Sequence, residues 1–300
     1  MAGELSASEW AADRGERWRA HLSGMEAMLA PVEGPLIAAL DLDAPCRIAD
    51  VGCGGGGTTL AIASQAPAGS TVEGFDISPA LIEAARARRG SDQSAIAFAL
   101  ADVATAPAPA DPFDRLASRF GVMFFDEPPR AFANLIQWLA PGGRFAFAIW
   151  GPAAENPWVA NVLDSAAEVI DLPEPGPDAP GMFRYARAET LLGLLERAGF
   201  AELEVRDWRG VLRIGGGLPA GKAADFALAS FSVAAPLAEA GAKALDEARD
   251  ALKPRLSRHE QNGVVRMEAY VHIVTGAAPA LGSTTQVGAS PCGDATWSGC

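Results

Sequence analysis

From residue 8 to residue 30, Trp10, Trp18, Leu22, Met25 and Leu29 fall at spacings close to helical, which predicts an amphipathic N-terminal helix. From Cys46 onward the rhythm changes. Short runs with β-like patterning at Arg47–Val51, Thr71–Phe75, Ile96–Leu100, Arg115–Phe120 and Arg144–Ile149 alternate with helical stretches near 58–66, 79–89 and 128–139. That alternation predicts an α/β fold, a parallel sheet with helices on both faces. A further helix over Arg187–Ala198 precedes a strand at Leu203–Trp208, and a last strand fits Met267–Val274. Between those strands lies Gly215–Gly263, an Ala-rich helical segment carrying Phe226, Leu228, Phe231, Leu237, Leu245 and Leu252. It reads either as a lid over a substrate cleft or as an extra packing layer. The chain divides accordingly into a helical cap (1–45), a core (46–214), the lid insertion (215–263), a final strand (264–276) and a tail (277–300).

Composition narrows the class. A chain of 300 residues that is 49% hydrophobic and 20% charged, with 32 Gly and 22 Pro, can bury a full core. The formal net charge of −13 argues against a nucleic-acid partner, which needs clustered Lys and Arg. The short Arg86-Ala-Arg88-Arg89 run reads as a solvated helix end. No run of about 18 apolar residues is present to span a bilayer, and the start of the chain lacks a signal-peptide pattern, so a cytoplasmic address is expected. Four cysteines make no disulfide framework in a chain of this length, and none has the spacing of a zinc site. Cys46 and Cys53 read as buried thiols beside the first strand, and no carboxylate cluster suggests a catalytic metal.

The stretch from Arg47 to Thr58 is a strand, a glycine turn and the start of a helix. Glycine removes the Cβ that would block a ligand, and a helix N-terminus offers unpaired N–H groups. Two cofactors compete for it. Gly52, Gly54 and Gly57 satisfy the dinucleotide G-x-G-x-x-G, whereas Asp50, Gly52, Gly54 and Gly56 satisfy an acidic-x-G-x-G-x-G pattern. Asp50 suits a cationic amino-acid end and not a pyrophosphate. Asp76, at the end of the second strand, can accept ribose hydroxyls from either cofactor. Asp102, after the third strand, suits an adenine amino group, with Val103 offering a backbone N–H and apolar contact; a helix-cap role for Asp102 competes.

The strings Asp50-Val-Gly-Cys-Gly54, Phe75-Asp-Ile-Ser78, Ala101-Asp-Val103 and Leu139-Ala-Pro-Gly-Gly143 resemble the class I S-adenosylmethionine-dependent methyltransferases. Ser118–Phe125, Ala131–Asn134 and Asn156–Trp158 are similar to a small-molecule branch related to bacterial quinone-biosynthesis methyltransferases. The resemblance covers roughly residues 10–276. It implies a Rossmann-like seven-stranded sheet with the last strand antiparallel, and a cofactor across the carboxyl ends of the strands. By carry-over, Gly52, Gly54, Asp76, Ile77, Asp102, Val103 and Arg119 would line S-adenosylmethionine, with Phe120 nearby. Extra glycines at 55 and 57 make the turn looser than the family's usual one.

Methyl transfer needs alignment and exclusion of water more than a dedicated catalytic group. If the acceptor is a phenol or an acidic carbon, a histidine base is useful. His21 ranks first, because in the family the N-terminal helix folds over the cofactor mouth beside Trp18; His259 and His272 follow as a solvated and a structural residue. Trp18, Phe120, Phe124, Trp150, Trp158, Met182 and Phe183 could form an apolar acceptor pocket, with core packing as the competing role for each. Asp126-Glu-Pro-Pro129 matches the motif of amino-directed methyltransferases poorly, which favours an oxygen or carbon atom of a small, partly apolar acceptor. A nicotinamide-dependent oxidoreductase is the alternative. The Gly/Ser-rich tail, ending in Cys300, is expected to be disordered, or else to serve as a peptide substrate in cis over 280–300, with Asp294, Cys292, Cys300 or the terminal carboxylate as acceptor.

Overall fold

The structure is a computed structural model, and it describes residues 7–90, 93–172 and 179–281. Three N-terminal helices, α1 (Ala7–Ala11), α2 (Asp13–Ala20) and α3 (Leu22–Leu29), lead through α4 (Glu33–Ala38) to the first strand. Then follow β1 (Arg47–Val51), α5 (Gly57–Gln65), β2 (Thr71–Asp76), α6 (Pro79–Arg88), β3 (Ile96–Leu100), β4 (Phe113–Arg119), α7 (Pro128–Leu135) and β5 (Leu139–Trp150). The rest comprises α8 (Pro157–Ala167), α9 (Ala188–Ala198), β6 (Ala201–Arg213), α10 (Ala220–Ser230), α11 (Ala234–Ala240), α12 (Ala242–Ser257), β7 (Glu260–Gln261) and β8 (Val264–Ala277).

The strands lie in the order β3-β2-β1-β4-β5-β8-β6, with β7 paired to the start of β8. β3, β2, β1, β4 and β5 run parallel, and β8 is antiparallel to both β5 and β6. The last strand therefore slots between the two before it. On β5 every residue from Phe145 to Trp150 is buried, as a strand covered on both faces requires. β6, at the sheet edge, buries only Leu212 and carries charges along its length, which protects an unpaired edge. β1 sits at the centre, with Asp50 beside Gly74 on β2 and Ala117 on β4.

The N-terminal segment is not one helix. It bends at Ala12 and again at His21, whose φ of −113° leaves the helical region, and the bends wrap it around the carboxyl ends of the strands. α8, which starts at Pro157, and the short α4 add helices to those expected. β8 continues to Ala277, and Ala278 still exchanges backbone hydrogen bonds with the Gly142–Gly143 turn, so the sheet ends later than the sequence suggests. Residues 282–300, with Cys292, Asp294 and Cys300, lie outside the described residues.

Within 215–263, α10, α11 and α12 bury Ala223, Ala227, Leu237, Leu252 and Leu256 in the same core that contains β5, α8 and α3. Among the described residues no single helix is long and apolar enough to cross a membrane; the apolar pair α10 and α11 is bent by 91°.

Candidate active site

The glycine turn after β1 has two kinds of glycine. Gly52, Gly54 and Gly56 have φ of 70°, 54° and 83°, a left-handed conformation that only glycine adopts without strain. At Gly52 a Cβ would also stand 2.9 Å from the Gly121 Cα, and at Gly56 it would press 2.7 Å from the Phe98 ring. Gly55 and Gly57 are different, because their φ is not left-handed. A Cβ on Gly55 would collide with Leu22, and one on Gly57 would lie 2.8 Å from the Glu26 carboxylate. Their missing side chains seat α3, so the apparent looseness is filled by a helix.

Glu26 then does what a local cap does elsewhere. Its Oε1 accepts the backbone N–H of Gly57 at 3.2 Å and an Arg88 N–H at 2.7 Å, while Arg88 also donates to the Gly55 carbonyl at 2.7 Å. The N-terminus of α5 is thus already occupied by a carboxylate. Arg86 and Arg89 donate to the carbonyls of Phe98 and Ile96, so the basic run is a set of ties and not a solvated end.

Asp50 is buried beneath the turn. Its Oδ2 accepts from the Thr59 hydroxyl at 2.7 Å, and its Oδ1 has no partner. Burial pushes its carboxyl up to about 6, opposed by the Thr59 hydrogen bond and by the Arg119 charge. Asp76 holds the turn from the other side, with Oδ2 accepting from Gly54 N and Oδ1 from Ser78 N, both at 2.8 Å. Burial raises its pKa too, against the pull of the N–H groups of Ser78, Gly54 and Ile77. Asp102 caps its own turn through Ala104 N at 3.0 Å and the Thr105 hydroxyl at 2.8 Å. Arg119, at the end of β4, donates to Glu33 at 2.9 Å; burial lowers its pKa, opposed by the charges of Glu33, Asp50 and Glu26.

These groups surround a cavity of about 290 Å³. Gly52, Gly54, Asp76, Ile77, Asp102, Val103, Arg119 and Phe120 line it, and so do Trp18 and Phe124. Glu26, Trp10 and Cys53 also line it, and nothing in the local sequence pattern singled out Glu26 or Trp10 for this site. The Cys53 thiol is buried, and burial holds its pKa well above the ordinary value. Asp50 and Gly56 stand behind the wall. Phe120 has a left-handed φ of 69° and stacks on Trp150 at 4.2 Å, an arrangement that a side chain with a Cβ adopts only where its surroundings impose it.

Trp150 and Trp158 are buried in the core behind Phe120, and neither they nor Phe183 and Met182 reach the cavity wall. His21 packs on Phe226 of α10, with ring centroids 5.9 Å apart, and is also off the wall. The reason is the helix break at His21, which turns its side chain toward α10 while Trp18 and Glu26 keep to the glycine turn. His272 is buried between the Asp207 carboxylate (Nδ1, 2.8 Å) and the Ala186 carbonyl (Nε2, 3.2 Å). His259 lies after α12, its backbone paired with Leu256 and Arg266. No residue of 215–263 lines the cavity, among the described residues.

A family profile described as a methyltransferase domain matches residues 48–143. Trans-aconitate 2-methyltransferase of Methylobacterium radiotolerans is 34% identical over 143 residues, which cover 44% of this chain and 53% of that one. Demethylmenaquinone methyltransferase of Thermus thermophilus is 33% identical over 109 residues, 36% of this chain and 49% of that one. The chain thus spans about half the length of these curated relatives. A solved structure from Anabaena variabilis, described as a candidate methyltransferase of an antibiotic biosynthesis pathway, superposes with a TM-score of 0.58 over 84% of this chain and 99% of that one. At 14% identity that is a likeness of fold. Residues 48–143 thus match a methyltransferase domain, within a fold like that of solved methyltransferase structures.

Proposed function

We propose that the chain transfers a methyl group from S-adenosylmethionine to an oxygen or carbon atom of a small, partly apolar acceptor. One observation carries the choice of cofactor. The α5 N-terminus, where a dinucleotide's pyrophosphate would bind, is filled by the Glu26 carboxylate, and the buried Asp50 beneath the turn has an oxygen without a partner. A carboxylate on that helix N-terminus leaves no place for a diphosphate, which weighs against the nicotinamide alternative. Glu26, which lines the cavity, suits the ammonium of the amino-acid end of S-adenosylmethionine.

The residues fit the rest of this ligand. A Cβ on Gly54 would stand 4.0 Å from the Trp18 indole nitrogen, an ordinary contact, so Trp18 closes over this glycine. Asp76 keeps a free lone pair on each oxygen for ribose hydroxyls, and Asp102 with Val103 offers the adenine an acceptor, a backbone N–H and an apolar contact. Trp18, Phe120 and Phe124 present ring faces that favour a positively charged sulfonium. Bound S-adenosylmethionine supplies an electrophilic methyl carbon. The chain's own work is then to exclude water with the α2–α3 strap and to hold the acceptor about 3 Å from that carbon.

The test is turnover. Incubation with S-adenosylmethionine and a panel of phenols, carboxylic acids and quinone precursors, followed by S-adenosylhomocysteine release and product mass, is expected to show a gain of one methyl group on an acceptor's oxygen or carbon. Methylation only at nitrogen, or only within residues 280–300, contradicts the reading.

A further inference from the structure

The insertion 215–263 adds nothing to the cavity wall, among the described residues, yet its first part reaches a helix that does. α3 is gripped on two faces. One face carries Leu22 and Glu26, one helical turn apart, and both sit on the glycine turn. A Cβ there would stand 2.3 Å from Leu22 at Gly55 and 2.8 Å from Glu26 at Gly57. The opposite face carries Gly24 and Ala27, which sit on the insertion. A Cβ on Gly24 would lie 2.7 Å from Phe226 Cε2 of α10, and one on Gly216 would lie 2.9 Å from the Ala27 Cβ. A side chain at either glycine would force its neighbour aside.

Phe226 has little room to give. Its ring meets His21 at 5.9 Å and Phe231 at 6.1 Å, edge to face in both cases, and a Cβ on Gly215 would stand 3.1 Å from its Cγ. Phe231 packs in turn on Trp158 at 5.2 Å, and Trp158 on Trp150 at 4.9 Å, so the ring is backed by the buried end of β5. Close-packed interiors transmit a displacement instead of absorbing it. Pressure between Gly24 and Phe226 therefore moves the helix and not the ring. What moves with the helix is part of the site, because Glu26 and Leu29 of α3 line the cavity and Glu26 also holds Gly57 N. With 8 residues, α3 is too short to hold its place without the groups packed on it.

We propose that Phe226 is a positioning residue for the cofactor, which through Gly24 sets where α3 holds Glu26 against the glycine turn. The insertion is then a brace behind the cofactor site and not a lid over it. The inference rests on the cavity being an S-adenosylmethionine site.

The experiment titrates the full chain and four variants with S-adenosylhomocysteine by calorimetry, beside urea denaturation of each. Gly24→Ala pushes α3 off Phe226 and should weaken binding about tenfold, the scale of one misplaced charged contact. Phe226→Leu slackens the same contact and should weaken binding about threefold, a smaller fraction of that loss. In the double variant the smaller side chain makes room for the added methyl, so affinity should return to within about twofold of the wild type, the non-additivity expected of residues in contact. Leu237→Val trims a buried side chain on α11 of the same insertion. It should lower the urea midpoint and leave affinity within about twofold of the wild type.

Unchanged affinity in Gly24→Ala overturns the proposal, as does a double variant that binds no better than Gly24→Ala. An equal loss in Leu237→Val overturns it too, by making the effect a general loosening. If Gly24→Ala does not fold, the other two single variants decide. A loss of about threefold in Phe226→Leu and none in Leu237→Val upholds the role, and equal affinities overturn it. A wild-type chain that binds no S-adenosylhomocysteine is a separate result, which overturns the methyl-transfer reading and this inference with it.

Discussion

Glu26 on α3 accepts the backbone N–H of Gly57 at 3.2 Å, so the N-terminus of α5 is capped by a side chain from 31 residues earlier in the chain. The strap and the glycine turn are therefore one unit. Removing the cap with Glu26→Ala should destabilise the protein by about 1 kcal/mol, the usual cost of a lost helix cap. Glu26→Gln keeps an acceptor for Gly57 and loses the charge. Because S-adenosylmethionine and S-adenosylhomocysteine carry the same ammonium, it should weaken binding of both, as measured by calorimetry on each ligand. Unchanged affinity for both would remove the electrostatic role.

Gly57 opens α5 in a helical conformation, where propensity alone predicts that Gly→Ala stabilises by about 1 kcal/mol. The seat for α3 predicts the reverse. Gly57→Ala and Gly55→Ala should each destabilise by about 1–3 kcal/mol, the range for overpacking a tight contact, because the added methyl meets Glu26 or Leu22. Urea denaturation decides the sign.

Asp76 holds Gly54 N with one oxygen and Ser78 N with the other. Asparagine can satisfy only one of those donors with its oxygen and turns an N–H₂ toward the second. Asp76→Asn should therefore cost about 1–3 kcal/mol, the range for an unsatisfied buried donor. The same variant should reduce S-adenosylhomocysteine affinity about tenfold or more, equivalent to about 1.4 kcal/mol. An affinity within about twofold of wild type would place the ribose elsewhere.

The Asp50 carboxyl, raised to about 6 by burial, fixes a pH dependence. A raised folded-state value means that the folded chain binds the proton more tightly than the unfolded one. The stabilisation is complete below about pH 4 and is lost as pH rises through about 6, worth at most about 3 kcal/mol. Urea denaturation should therefore show the wild-type chain losing stability between about pH 4 and about pH 7 relative to Asp50→Asn, and a constant difference between the two across that range contradicts the assignment.

The parts of the site that were legible in the sequence are those whose chemistry is local. A strand, a glycine turn and a helix in succession give Gly52 and Gly54, and acids at strand ends give Asp76 and Asp102. Asp102 turned out to cap its own turn while lining the cavity, so its two competing roles coexist. Trp150 and Trp158 could not be told from pocket residues by type, because an apolar wall and an apolar core use the same side chains. His21 is the residue that the family resemblance places at the cofactor mouth beside Trp18, and the helix break at His21 turns its ring to Phe226 instead. Glu26 and Arg88 had no local signal at all. They are defined by a contact 62 residues apart in sequence, and the one hint was the surplus of glycine at positions 55 and 57.

The most direct test of the central claim is a calorimetric titration of the full chain at pH 7 with S-adenosylhomocysteine and, separately, with NAD. One site for S-adenosylhomocysteine and no detectable heat with NAD is the predicted result. Binding of NAD without S-adenosylhomocysteine would contradict it, because a diphosphate would then be sharing the α5 N-terminus with Glu26.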